Sequence, residues 1–154
     1  MWNPPAIGEA SVKLLRGMAE EFRVSLTAAA LRYAELYKGA MAVILSVNKR
    51  IEWMACNKYF FSGKLKKGEL VPLNTRTHDI YDYLMPTNYL KNQRIRKCGY
   101  KQFMKEKTDY LDSLDETVTV NAADWFGDSD GYLNEIDFAM RKYGSVLTVM
   151  WEGD

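Results

Sequence analysis

Residues 40–56, AMAVILSVNKRIEWMAC, change the period of the chain. Residues 40–47 are a continuous apolar run, too short for a good helix and rich in β formers. Asn48 and Lys49 form a two-residue turn signal, and Arg50–Cys56 follows as a second apolar stretch. The segment therefore predicts a β-hairpin.

Upstream the spacing is helical. Across residues 7–22, Val12, Leu15, Ala19 and Phe22 make one apolar stripe flanked by Leu14 and Met18. Lys13, Arg16, Glu20 and Glu21 turn away from it, as in an amphipathic helix. Residues 1–6, MWNPPA, read as an extended lead-in because two prolines resist helix interior. RVS at 23–25 breaks the first helix, and Ser25 is a good N-cap for a second, alanine-rich one at 26–38. Two short helices on a tight turn are a helix-turn-helix candidate.

Downstream, residues 57–73 carry Gly63 and Gly68 and read as an irregular or short-stranded connection. Residues 77–84 predict a short helix through Ile80, Tyr81 and Leu84, ended by Met85-Pro86. In 87–115, basic residues alternate loosely with Ile95, Tyr100, Phe103 and Met104, which suits a strand and a short helix on a surface excursion. ETVTVNAADWF at 116–126 alternates, with Val118, Val120 and Ala122 on one face, and predicts a strand. Residues 132–141 have a period of two through Tyr132, Ile136, Phe138 and Met140; a helix through Ile136, Met140 and Tyr143 also fits. A turn at 142–145 leads to a final strand at 146–151. The fold class is α+β: an N-terminal helical pair, then a mostly antiparallel sheet with covering helices.

The chain has 154 residues, enough for one ordinary domain or a small helical piece plus a compact one. With 47% apolar residues it can bury a sizeable core, which excludes disordered and collagenous classes. A net charge of +1 supplies no bulk attraction to nucleic acid, membrane or acidic partners. The charge is uneven, however. Residues 91–107 carry Lys91, Arg94, Arg96, Lys97, Lys101, Lys105 and Lys107 against Glu106 alone, while 109–137 are mostly acidic. Tyr100 and Phe103 interleave with the lysines, a pattern that suits single strands or phosphates; a solvated loop is its commoner meaning. No secretory signal and no long apolar run is present, so no membrane partner is expected. Cys56 and Cys98 lie far apart and read as free thiols of a cytoplasmic protein.

Catalytic patterns are missing from the sequence. His78 is the only histidine, and with two cysteines it gives no zinc-ligand spacing and no H-E-x-x-H helix. Neither a nucleophile elbow nor a phosphate loop occurs, and Cys56 on a strand reads as an inert thiol. No catalytic residue, metal or cofactor is therefore expected. GDSDGYLNEID at 127–137 has the look of a calcium loop. Setting Gly131 at loop position six puts Asp128 at three, Asp130 at five, Asn134 at nine and Asp137 at twelve. Position one then falls on Phe126, which has no side-chain oxygen, and the residues before it alternate as a strand. A polar turn from Gly127 to Gly131 between two strands is the better reading. For DNA, the helix pair offers Ser25 to phosphate and Thr27 and Arg32 to base edges. Arg16, Arg23, Arg32 and Lys38 are its few cations, so phosphate attraction is modest, and packing on another domain is the equal alternative.

Residues 18–56, MAEEFRVSLTAAALRYAELYKGAMAVILSVNKRIEWMAC, resemble the segment that follows the protease part in the ImmA/IrrE family of metallopeptidases. Residues 135–154, EIDFAMRKYGSVLTVMWEGD, resemble that family's ending, and ADWF at 123–126 also fits. Residues 57–115 match poorly, and Arg23 stands where the family's turn usually has glycine. Members cleave repressors or similar transcription factors to switch on stress responses or mobile elements, with zinc on an H-E-x-x-H helix. The resemblance implies that this chain is the later part alone, so the catalytic residues map to no position here. It implies a non-catalytic regulatory region: a helix-turn-helix segment at 1–38 and a GAF/PAS-like sensor domain at 39–154. The implied partners are the parent's protease domain, a repressor or DNA, and an unknown small ligand. Trp53, Trp125, Phe138 and Met140 are the candidate lining of a ligand cavity. The alternative is an autonomous helix-turn-helix transcriptional regulator with a ligand-sensing domain.

Overall fold

A computed structural model of the chain describes residues 12–22, 25–60, 63–127, 129–140 and 144–152. The expected lead-in at 1–6, the start of the helix at 7–22, the break at 23–24 and the first half of the 142–145 turn lie outside the described residues. The elements in chain order are α1 (Val12–Phe22), α2 (Leu26–Leu36), β1 (Met41–Val47), β2 (Arg50–Cys56), α3 (Arg76–Leu84), α4 (Asn88–Cys98) and α5 (Tyr100–Asp112). A short 3-10 turn (Ser113–Asp115) comes next, then β3 (Val118–Asn121), α6 (Ala122–Phe126), β4 (Tyr132–Met140) and β5 (Ser145–Trp151).

The five strands form one antiparallel sheet in the order β2-β1-β5-β4-β3. The hairpin expected at 40–56 is present. Asn48 (φ 52°) and Lys49 (φ 70°) both take the left-handed backbone that a twisted two-residue hairpin turn requires. β5 lies in the middle, and all seven of its residues are buried, which explains why five of them are apolar.

Helices cover both faces of the sheet. On the first face Met41, Val43, Ile136, Phe138, Leu147, Val149 and Trp151 pack with Leu15 and Met18 of α1 and with Ala29, Ala30, Tyr33 and Ala34 of α2. The small alanines let α2 lie close to the strands, and Ser25 caps it as expected, its Oγ accepting from the Ala28 N–H at 3.1 Å. On the second face Ala42, Ile44, Leu133, Val146 and Met150 pack with Ile80 and Tyr81 of α3, Leu111 of α5, Leu114, and Ala122 and Trp125 of α6. α1 and α2 thus share one core with the sheet.

Two expectations are corrected. Residues 87–115 hold no strand but two helices, α4 and α5, broken at Gly99, whose φ is +84°. α4 buries no residue at all, so its sequence lacks the apolar stripe that signals a helix. The strand expected at 116–126 stops at Asn121, and 122–126 are α6. The alternation through Val118, Val120 and Ala122 hid the change, but Ala122 and Trp125, three apart, are both buried as a helix face requires. The connection from β3 to β4 therefore begins with α6 and is not a plain hairpin turn. The would-be calcium loop leads into strand β4, not into the second helix of an EF-hand.

Asn57, just past β2, ties the layers together. Its Oδ1 accepts from the Met41 and Tyr59 N–H groups, and its Nδ2 donates to the Ala34, Gly39 and Tyr37 carbonyls. Two of these carbonyls lie at or just past the end of α2, where the helix leaves them unsatisfied. Among the described residues no helix is long and apolar enough to cross a membrane.

Candidate functional site

The strand period places Leu133, Glu135 and Asp137 on the second face of β4, toward α3 and α6. Asp137 sits opposite Thr148 of β5. Both carboxylates are buried, Glu135 at 0% exposed and Asp137 at 1%. The first turn of α3 closes over them. Thr75 fixes that turn: its Oγ1 accepts from the His78 N–H at 3.1 Å and donates to the Pro72 carbonyl at 2.7 Å. Arg76 and Thr77 then reach inward.

Arg76 Nε donates to Asp137 Oδ2 at 2.8 Å, and Nη1 donates to the Glu116 carbonyl at 3.0 Å. Thr77 Oγ1 and Thr148 Oγ1 both lie against Asp137 Oδ1, at 2.7 and 2.6 Å, and 2.7 Å from each other. Two hydroxyl protons thus serve three oxygens. Glu135 Oε1 accepts from the Trp125 indole N–H at 2.6 Å, while Oε2 has no donor among the described residues. A proton on Glu135 resolves that shortage. Burial first, then the charge of Asp137 and a hydrogen bond to it, push the Glu135 carboxyl well above the usual glutamate range, against the opposing pull of Trp125 and Arg76. Glu135 is thus biased toward its uncharged form beside Asp137, while Arg76 and the two threonine hydroxyls satisfy the Asp137 carboxylate. Farther along α3, Tyr81 Oη and Ser46 Oγ lie 2.9 Å apart, so the helix is tied to β1 as well.

A cavity of about 380 Å³ adjoins this network, lined by Arg16, Leu111, Asp112, Leu114, Asp137, Phe138 and Ala139. It lies where β3 has ended. β3 pairs only with residues 132–135, so from Ile136 onward the outer edge of β4 has no strand partner among the described residues. Asp137 belongs to both the network and the cavity, whereas Glu135 lines only the interior. Through Arg76 and Thr77, Asp137 joins the cavity wall to the first turn of α3.

The residues anticipated from the sequence are dispersed. Ser25 is exposed with its Oγ spent on the cap, and Thr27 is half-buried. Arg32 is exposed and paired with Glu35 at 2.7 Å. Trp53, Phe138 and Met140 pack with the first-face core, while Trp125 lies on the second face with the sheet between them. Of these four, Phe138 alone lines the cavity, and the Arg16 guanidinium lies 5.5 Å over its ring. The network of Arg76, Thr77, Glu135, Asp137 and Thr148 went unread. No local pattern marked it: Glu135 and Asp137 alternate with Ile136 and Phe138 as solvent-facing residues do, and Thr148 sits among the apolar residues of 146–151.

His78, Asp79 and Asp82 bring their ligand atoms within 4.8 Å of one another on α3. Spacings of three and four residues bring helix side chains together by geometry alone. Partial burial and the Asp82 charge raise the Asp79 carboxyl, against the pull of His78. Cys56 and Cys98 are free thiols. Comparison with known proteins finds no matching family model and no matching curated protein.

Proposed function

We propose that the chain is a non-catalytic regulatory and sensor region with a GAF/PAS-like domain, of the kind that follows the protease part in ImmA/IrrE-like metallopeptidases. The observation that carries this reading is the cavity beside Asp137. It meets a buried carboxyl pair in which Asp137 is held by Arg76 and Thr77 of α3, so occupancy at the cavity wall can be transmitted to a covering helix. Arg16 and Asp112 among the lining residues suit a small polar ligand. The antiparallel sheet with covering helices supports the GAF/PAS-like assignment. The family assignment rests on the resemblance at 18–56 and 135–154. The two free thiols support a cytoplasmic setting.

In this reading α1 and α2 form a helical hairpin that docks rather than reads DNA. Ala29, Ala30, Tyr33 and Ala34 are committed to the sheet, and Arg32 is engaged by Glu35. Gel-shift titration of the chain against random and promoter-derived duplexes over a range of salt tests this. Docking predicts no sequence-dependent duplex binding. Tight, sequence-dependent binding abolished by Arg32→Ala would replace this reading with an autonomous helix-turn-helix regulator.

A further inference from the structure

Only the end of α5, at Leu111 and Asp112, reaches the cavity beside Asp137; the rest of the helical excursion α4–α5 carries a concentrated positive charge. Lys91, Arg94, Arg96, Lys97, Lys101, Lys105 and Lys107 face Glu106 alone in residues 91–107, within a chain of net charge +1. Arg94 is partly buried and occupied, its guanidinium 4.6 Å over the Tyr83 ring and donating to the Asp82 carbonyl. Arg96, Lys97, Lys101 and Lys105 are exposed. Among the described residues, ion pairs join Arg32 to Glu35, Lys67 to Glu52 and Arg76 to Asp137, and none involves these four cations. Glu106 is turned to Gln102, at 3.4 Å.

Helix energetics do not account for all of this charge. Arg96 and Lys97 in the last turn of α4 complement its dipole. Lys101 does the opposite, since it sits in the first turn of α5, where a cation opposes the dipole. Lys105, four residues on, repeats the charge on the same face, an arrangement that costs a free helix stability. Gly99 alone separates the two helices, so Arg96 and Lys97 at the end of α4 and Lys101 at the start of α5 flank one elbow.

Aromatic and apolar surface lies beside them. Tyr100 is 60% exposed and Met104 38%, and the two are four apart on α5. At about 100° per residue, Tyr100 and Met104 form one row and Lys101 and Lys105 the adjacent row. A row of stacking surface next to a row of cations matches a strand of bases next to its phosphates. A membrane surface fits less well, because α4 buries no residue and offers no continuous apolar face to insert.

We propose that the α4–α5 elbow binds single-stranded nucleic acid. Tyr100 and Met104 meet bases, while Arg96, Lys97, Lys101 and Lys105 meet phosphates. This is independent of the sensor reading and of α2. The test is fluorescence anisotropy of the whole chain with a labelled oligothymidylate of about 12 nucleotides, a duplex of equal length, and phosphatidylserine vesicles. We expect saturable single-strand binding that weakens with salt, with a log–log slope of about 3 for four phosphate contacts. Charge reversal at Lys101 and Lys105 should weaken binding at least tenfold and flatten that slope. Tyr100→Ala should weaken it roughly tenfold with the slope kept, and Arg32→Ala should leave it unchanged. All these side chains are exposed, so unchanged melting temperatures will confirm that the variants fold. Absence of saturable binding at low salt, tighter binding to duplex or vesicles, or indifference to charge reversal would overturn the proposal.

Discussion

Glu135 holds its proton in the folded protein at pH values where an unfolded glutamate has lost it, because burial and Asp137 raise its carboxyl. Folding therefore takes up a proton, and stability falls as pH rises from the ordinary value near 4.5 toward the raised folded value. Glu135→Gln keeps the shape, carries no charge and retains a donor for Asp137. Urea unfolding across pH 5 to 9 should show a shallower pH dependence for the variant, with its largest relative gain at the alkaline end. An unchanged slope would mean that Glu135 is ionised in the fold. Neither acid was legible as buried from the sequence. Glu135 and Asp137 alternate with Ile136 and Phe138, as solvent-facing residues do in a sheet covered on one side. The cover over them comes from α3 and the segments after it, whose place on the sheet no local pattern gives.

Among the elements, legibility followed burial. The 40–56 hairpin was readable because two apolar runs and a turn agreed, and Asn48 and Lys49 do adopt the turn's left-handed backbone. The Ser25 cap was readable because capping is local. α4 was not, because a helix that buries nothing leaves no periodic trace. Asn57 was also silent in the sequence, since its partners lie 16 to 23 residues away, apart from Tyr59. It satisfies groups at the end of α2 and the start of β1. Counting its two shortest bonds, to the Gly39 and Ala34 carbonyls, at about 1 kcal/mol each, Asn57→Ala should cost roughly 2 kcal/mol. The urea midpoint should fall with the m-value unchanged. A loss below roughly 0.5 kcal/mol would mean that water replaces the amide at no cost.

Across the fold as a whole, α1 and α2 belong to the core of the sheet, with the cavity at one edge of β4 and the basic elbow of α4–α5 elsewhere on the surface. The choice between a docked helical hairpin and a DNA-reading one turns on the first of these. A docked α2 opens with the sheet, whereas a DNA-reading module that merely precedes a sensor opens by itself. Native-state hydrogen exchange separates the two directly. Docking predicts that the Ala30, Tyr33 and Ala34 amides exchange as slowly as those of Val43 and Val149, through the same global opening. Exchange of α2 orders of magnitude faster than β1 and β5 would contradict it.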